Sequence, residues 1–271
     1  LCVLATPTAA LDSSLTFRQK ITGSCFLASE FLLGPVIMRF FWWEDGFVPI
    51  NPFSNIDERE PYFIDDSWHA WANSAHQDLH YLMLKHYFHI HSPYPSMAMT
   101  VGWWMGVEIL DAMEKHDRWG FSVDDMAGNL SGVLFWYVNH RYPKVPLRLR
   151  SGFRQWDHAW DYLLATPYYF IDKKEVARRG GVFQYHISKV ELIGKVHRDF
   201  YLGLAVSKRD LPSDENLWGL TLGWDNLAWA NRLHHGWWNG PVTFFDRHLA
   251  LDVSFTFWVD EGWNRKGATL F

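Results

Sequence analysis

The stretch DDSWHAWANSAHQDLHYLMLKHYFH, residues 65–89, decides how the chain is read. Its polar side chains recur at helical steps: Asp65, His69, Asn73, His76 and His80 form one stripe. Trp68, Trp71, Leu79, Leu82 and Met83 fill much of the remaining surface. Asp65 or Asp66 caps the start, because a carboxylate accepts the free amide hydrogens of a first turn. The prolines of SPYPS, residues 92–96, end the segment.

Two more helices follow. One runs from about Ser96 to Lys115 and is apolar almost throughout (MAMTVGWWMGVEILDAM), so it belongs at the centre of a bundle. Glu108 and Asp111 share one of its faces, and Glu108 is the most unexpected residue in the chain. The next starts near Ser122, whose spacing to Asp125 predicts a capping-box-like opening, and runs to about Asn139 with Asp125 and Asn129 on one face. Gly102 and Gly106 in one helix match Gly128 and Gly132 in the other, which predicts two glycine-lined helix contacts. Carboxylates, a histidine and an amide are costly to bury unless they satisfy one another. Asp65, His69, Glu108, Asp111, Asp125 and Asn129 are therefore expected to converge.

That cluster admits two uses. One is a buried hydrogen-bonded network that fixes helix register. The other is a metal or acid–base centre, with a divalent metal as cofactor and His69, His76, His80 and Glu108 as candidate ligands. A Glu on an apolar helix has a raised pKa and can carry a proton. No HExxH or paired ExxH signature accompanies it. His86, His89 and His91 sit near a helix end and suit only weak metal contact. His234 and His235, ahead of the Trp-rich GWWNG, read as a packed turn, with glycan or membrane-interface contact as the alternative.

Composition narrows the class. The chain has 271 residues, 48% hydrophobic and 20% charged, enough to bury a core and incompatible with disorder. Aromatic residues make up 18%, with 17 Trp, which suits rigid packing, carbohydrate or lipid contact, or a membrane-interface belt. A net charge of −5 gives no support for nucleic acid. There is no P-loop, GxSxG, or GxGxxG in a βαβ context, so nucleotide binding and nucleophilic catalysis have no support either. Cys2 and Cys25 make no disulfide framework and no cysteine zinc site.

At the N-terminus, LCVLATPTAA followed by LDSS reads as the end of a secretory signal peptide. Residues 17–43 carry an apolar helical pattern interrupted by Glu30 and Arg39 and kinked at Pro35, which suits a buried or interfacial helix rather than a membrane span. RYPKVPLRLR reads as a basic linker, RQWDHAWDYLLAT as a short helix and DKKEVARRGG as a polar loop. From Gly181 the period changes to two. VFQYHISKVEL, DFYLGLAVS, LWGLTLGW and HLALDVSFTFWV read as strands, the last with Leu249, Leu251, Val253, Phe255, Phe257 and Val259 on one side. Large residues alternating with Gly, Ala and Ser are also a feature of outer-membrane strands. Closing a membrane barrel takes about eight strands or more, so a sheet packed on the helices is the plainer expectation and a partial barrel the alternative.

The ordered motifs resemble a known family. Asp65-x-x-x-His69, then Glu108-Ile109-Leu110-Asp111, then Gly120-Phe121-Ser122-x-x-Asp125-x-x-x-Asn129-x-x-Gly132 resemble the YfiM-like predicted periplasmic lipoproteins and, more distantly, the VanZ-like membrane proteins. Residues 60–140 carry the likeness, with FFWWEDGF upstream. Asp66 and Trp68 stand where relatives often have Lys and Gly, which removes an ion pair those relatives would make. The family is functionally uncharacterised, so the resemblance implies an envelope location and a helical core, and no activity.

The expected fold is α+β: a signal-peptide remnant at 1–10, a bundle of three to four helices over 11–150, and an antiparallel sheet or partial barrel over 151–271. The expected function is structural or scaffolding, exported to the periplasm or outer membrane of a Gram-negative-type bacterium, with membrane or envelope components as partners. A metal- or carboxylate-dependent enzyme acting on lipid or cell-wall material is the alternative.

Overall fold

The computed structural model describes residues 15–36, 47, 63–113, 120–144, 147–153, 188–208, 216–225, 244, 247–250, 253–259 and 268–270. The fold is α+β. Among the described residues, four α-helices precede an antiparallel sheet that is not closed: α1 Phe17–Ala28, α2 Phe63–Phe88, α3 Pro93–Ala112 and α4 Val123–Arg141. None is long and apolar enough to cross a membrane. The signal-like residues 1–10, the segments read as a short helix and a polar loop, and GWWNG with His234 and His235 lie outside the described residues.

Local chemistry sets the helix ends. Thr16 and Gln19 cap α1 reciprocally, each side chain meeting the other's backbone. After α1 the chain continues as a π-helical segment, Ser29–Leu33, just before Pro35. A wide turn suits that position, since proline gives no N–H and its ring needs room. Helix α3 starts three residues earlier than expected, because Pro93 and Pro95 are tolerated in a first turn whose N–H groups have no intrahelical partner. Ser122 caps α4, its hydroxyl accepting from the Asp125 N–H at 3.0 Å.

Helix α2 is the axis of the bundle. It packs on α4, where two glycines allow backbone contact: a Cβ on Gly128 would lie 2.7 Å from the Asp66 carbonyl oxygen, and one on Gly132 only 2.1 Å from that of Ala70. Among the described residues the matching contact expected from Gly102 and Gly106 is absent, since no described atom lies within 4 Å of a Cβ built at either. Equal spacing misleads here. The glycines of α4 face α2, and those of α3 face no described atom within 4 Å.

The sheet is a simple meander in the order β1-β2-β3-β4-β5-β6. Its strands are β1 Leu147–Phe153, β2 Ser188–Lys195, β3 Phe200–Lys208, β4 Asn216–Trp224, β5 Val253–Val259 and the short β6 Ala268–Leu270. The basic stretch read as a linker is thus partly β1, which is strand from Leu147 onward. The alternation read from Leu249 corresponds to β5 from Val253 onward. Leu249 makes an isolated bridge to Ser151, the described ladder with β4 begins at Val253, and Leu251 lies outside the described residues.

The two faces are occupied the opposite way from a soluble sheet. Helix α2 covers only one margin of the apolar face, where Trp68 and Trp71 pack on Val190, Val206 and Leu149. Beyond that margin, in-register rows Leu202–Leu222–Phe255 and Leu204–Leu220–Phe257 stay 41–55% exposed. The other face is buried and polar. Glu191 takes Lys189 at 2.6 Å, Arg150 at 3.2 Å and the Thr221 hydroxyl at 3.1 Å. Lys189 also donates to Thr256 at 3.2 Å, and Arg150 lies over the Tyr201 ring at 4.5 Å.

Candidate functional site

Two i, i+4 pairs meet where α2 and α4 begin. Asp65 and His69 occupy one face of the first turns of α2, and Asp125 and Asn129 the facing side of α4. Gly128 lets the helices close until those faces touch, its missing Cβ leaving room for the His69 Cβ 3.1 Å from where it would stand.

The imidazole is held from both sides. Its Nδ1–H donates to Asn129 Oδ1 at 2.9 Å. Asn129 also accepts from the Asn73 amide and donates through Nδ2 to Glu108 Oε1 at 3.4 Å, which fixes the orientation of its amide. On the other side, His69 Nε2 faces Asp125 Oδ1 at 3.6 Å and Asp65 Oδ1 at 3.9 Å. Trp104 of α3 meets the ring edge to face, with centroids 5.7 Å apart.

Excess negative charge sets the electrostatics. Burial, joined by the Asp125 charge, pushes the Glu108 carboxyl up to about 8, with Asp111 adding to it and His69 opposing. Glu108 is therefore mostly neutral at pH 7. Asp66 rises to about 6, first through burial and then through Asp125, Asp124 and Asp65. Burial of His69 works against its charged form, but Asp125, Asp65, the Asn129 bond and Glu108 together outweigh it and hold its pKa above the ordinary value. The surrounding carboxylates thus favour positive charge at the ring.

Of the residues expected to converge, the structure brings Asp65, His69, Glu108, Asp125 and Asn129 together. Half-buried Asp111, one turn beyond Glu108, bears on the cluster through its charge. The four candidate metal ligands do not form one set. Glu108 stands on the Nδ1 side of His69, at 3.9 Å, away from the nitrogen that faces Asp65 and Asp125.

His76 and His80 belong to a second cluster, and its key member escaped the sequence reading. Both rings meet Oε1 of Glu30 from the π-helical segment, His80 at 2.6 Å. Oε2 of Glu30 is buried with no hydrogen-bond partner among the described residues. Trp104 donates to His76 Nδ1 at 3.1 Å, and His80 Nδ1 pairs with the Thr100 hydroxyl at 2.7 Å. Burial alone would raise the Glu30 pKa, yet the His76 and His80 bonds and charges bring it down to about 2. The signal available in the sequence was an isolated carboxylate in an apolar helix, the same signal that singled out Glu108. A third centre had no local signal. Asp78 accepts from Trp136 at 2.8 Å, from Arg247 through both oxygens and from His248 at 3.0 Å, joining residues about 170 positions apart.

Asp65, His69 and Asp125 form one group whose ligand atoms lie close enough for a shared ion, and Glu30, His76 and His80 form another. No known protein family, curated protein or solved structure matches the chain.

Proposed function

We propose that this is a structural protein of the bacterial cell envelope, seated in the outer membrane through the apolar face of its sheet. The helical module stands at one margin of that face. The observation that carries the reading is the inversion of the sheet, with Leu and Phe outward and Arg150, Lys189, Glu191 and Thr221 buried. Water-soluble antiparallel sheets pack their apolar face on a core and wet the other. Lipid-facing barrel strands do the reverse, with small and polar residues inward and an apolar band outward, edged by aromatic rings.

Dimensions and edges agree with lipid as the partner. β3 and β4 have nine residues each, the lower end of the roughly 9–11 residues of a membrane-crossing strand. On β4, Trp218 and Trp224 bracket Leu220 and Leu222, and Trp224 stacks on Phe200 of β3 at 6.3 Å. Tryptophan favours such borders because its ring is apolar and its N–H is not.

The test places Lys at Leu204 and at Leu220, with Leu134→Lys on exposed α4 as control. A lysine facing lipid at mid-depth costs about 2–4 kcal/mol. Full-length protein in outer-membrane vesicles should resist alkaline carbonate extraction, the two sheet variants should lose stability there, and the α4 variant should not. A wild-type chain that is a stable monomer in detergent-free buffer, or sheet variants that match wild type, would overturn the proposal.

A further inference from the structure

The His69 side of the α2–α4 junction carries one step more. Its ring is fixed by the Nδ1–H bond to Asn129 at 2.9 Å, so Nε2 is the nitrogen presented to the carboxylates. Nε2 lies 3.6 Å from Asp125 Oδ1 and 3.9 Å from Asp65 Oδ1, too far for a hydrogen bond in either case. Two donors bound at about 2.1 Å to a common ion stand roughly 3–4 Å apart, which is this spacing. The arrangement behind the ring fits as well. A metal-bound histidine usually gives its other N–H to an oxygen that locks tautomer and tilt, and Asn129 does so while braced by Asn73 and Glu108.

We propose that Asp65, His69 and Asp125 bind one divalent first-row transition metal ion, of the manganese, iron(II) or zinc class, which ties the first turn of α4 to that of α2. One imidazole with two carboxylates suits these ions better than copper(I), which prefers sulfur, or calcium, which prefers oxygen alone. The three side chains are 19–29% exposed, so an ion reaches them from solvent while Glu108, at 1%, stays behind the ring. Three protein ligands leave coordination positions for water.

The second histidine cluster serves as the internal contrast. There the Trp104 N–H is donated to His76 Nδ1, so it is His76 Nε2 that meets Glu30. In that cluster Glu30 Oε1 bonds both rings directly, His80 at 2.6 Å, whereas His69 Nε2 stands beyond hydrogen-bond distance of Asp65 and Asp125. The proposal does not depend on membrane seating.

The experiment uses the full chain, purified, stripped with a chelator and titrated with Mn²⁺ followed by electron paramagnetic resonance, then with Zn²⁺ by calorimetry. Wild type should take up one ion per chain and melt at a higher temperature with it. Asp125→Asn, which keeps size and hydrogen bonding, and His69→Gln should each weaken binding more than about tenfold and abolish the melting shift. Asn129→Ala should weaken it roughly 10–100-fold by releasing the ring. His76→Gln should leave it unchanged. Circular dichroism at 222 nm checks that each variant is folded. Absence of stoichiometric binding by wild type, wild-type affinity in folded Asp125→Asn, or loss of binding in folded His76→Gln overturns the assignment.

Discussion

Adding one methyl group at Gly132 should separate the two helices that build the site. An alanine Cβ there would lie 2.1 Å from the Ala70 carbonyl oxygen, 2.8 Å from its carbonyl carbon and 3.0 Å from its Cα. All three are backbone atoms of α2, so no side chain can turn aside to make room. Reaching an ordinary contact of 3.4 Å requires a retreat of about 1.3 Å. Overpacking of this kind costs about 1–3 kcal/mol or more, against a gain of about 1 kcal/mol from replacing Gly by Ala in a helix. The strain dominates, and Gly132→Ala should lose about 1–2 kcal/mol, a fall of roughly 2–8 °C in melting temperature for a chain of this size. Gly106→Ala makes the opposite prediction. With no described atom within 4 Å, it retains the helix-propensity gain and should raise stability by about 1 kcal/mol. Thermal melts of both variants in one buffer decide the matter. If Gly132→Ala is as stable as wild type, or is stabilised alongside Gly106→Ala, the backbone contact between α2 and α4 is not real and the site it assembles falls with it.

Three further outcomes follow from the charged groups. Glu191→Gln leaves Lys189 and Arg150 buried without this carboxylate and should cost about 3–5 kcal/mol in a denaturant titration, while combining Glu191→Leu with Lys189→Met and Arg150→Met should recover much of it. For Asp78, burial raises the pKa but the His248 bond, the Arg247 charge and the Trp136 bond outweigh it, so the folded value lies below the ordinary 3.8. A depressed acid stabilises the fold above its unfolded pKa and loses that contribution as pH falls through the folded one, so the gap between wild type and Asp78→Asn should be full at pH 7 and shrink below about pH 4. For His80, burial already holds the pKa down while the Glu30 bond opposes it, so Glu30→Gln should lower the ring's titration midpoint further in NMR. An unchanged midpoint would mean that the π-helical segment does not seat Glu30 on the ring.

The sequence was informative wherever one element determines the pattern. The spacings of Asp65 to His69 and Asp125 to Asn129 define helix faces whatever lies opposite, and Ser122 announces its own cap. What the period could not supply was the partner. Gly102 with Gly106 looks the same as Gly128 with Gly132, yet among the described residues only the second pair meets another backbone. Glu30 lies 46 residues from His76, and the Asp78 contacts to Arg247 and His248 span about 170 positions. The sheet shows the same limit in another form. Alternation divides β3 and β4 into a large apolar set and a small polar set, but a period of two does not say which set is inside. The usual assumption puts the apolar set inward because buried polar groups are costly when unpaired. Here they are paired, since Glu191 receives both Lys189 and Arg150.

Glycine connects the two halves of that argument. On the polar face, a Cβ at Gly223 would stand 2.2 Å from the Tyr201 ring and hydroxyl, so the missing side chain is what lets Tyr201 lie across the sheet with Arg150 above it. On α4, Gly128 does the same for His69 and the carboxylates beside it. In both places a glycine faces a buried polar or aromatic group that a larger residue would displace. The small residues alternating along β3 and β4 are thus better understood as space for the charged interior than as weak strand formers. Among the described residues, an interior filled in that way leaves the Leu and Phe rows exposed with no core to join, and it is this exposure that the proposed seating in lipid would relieve.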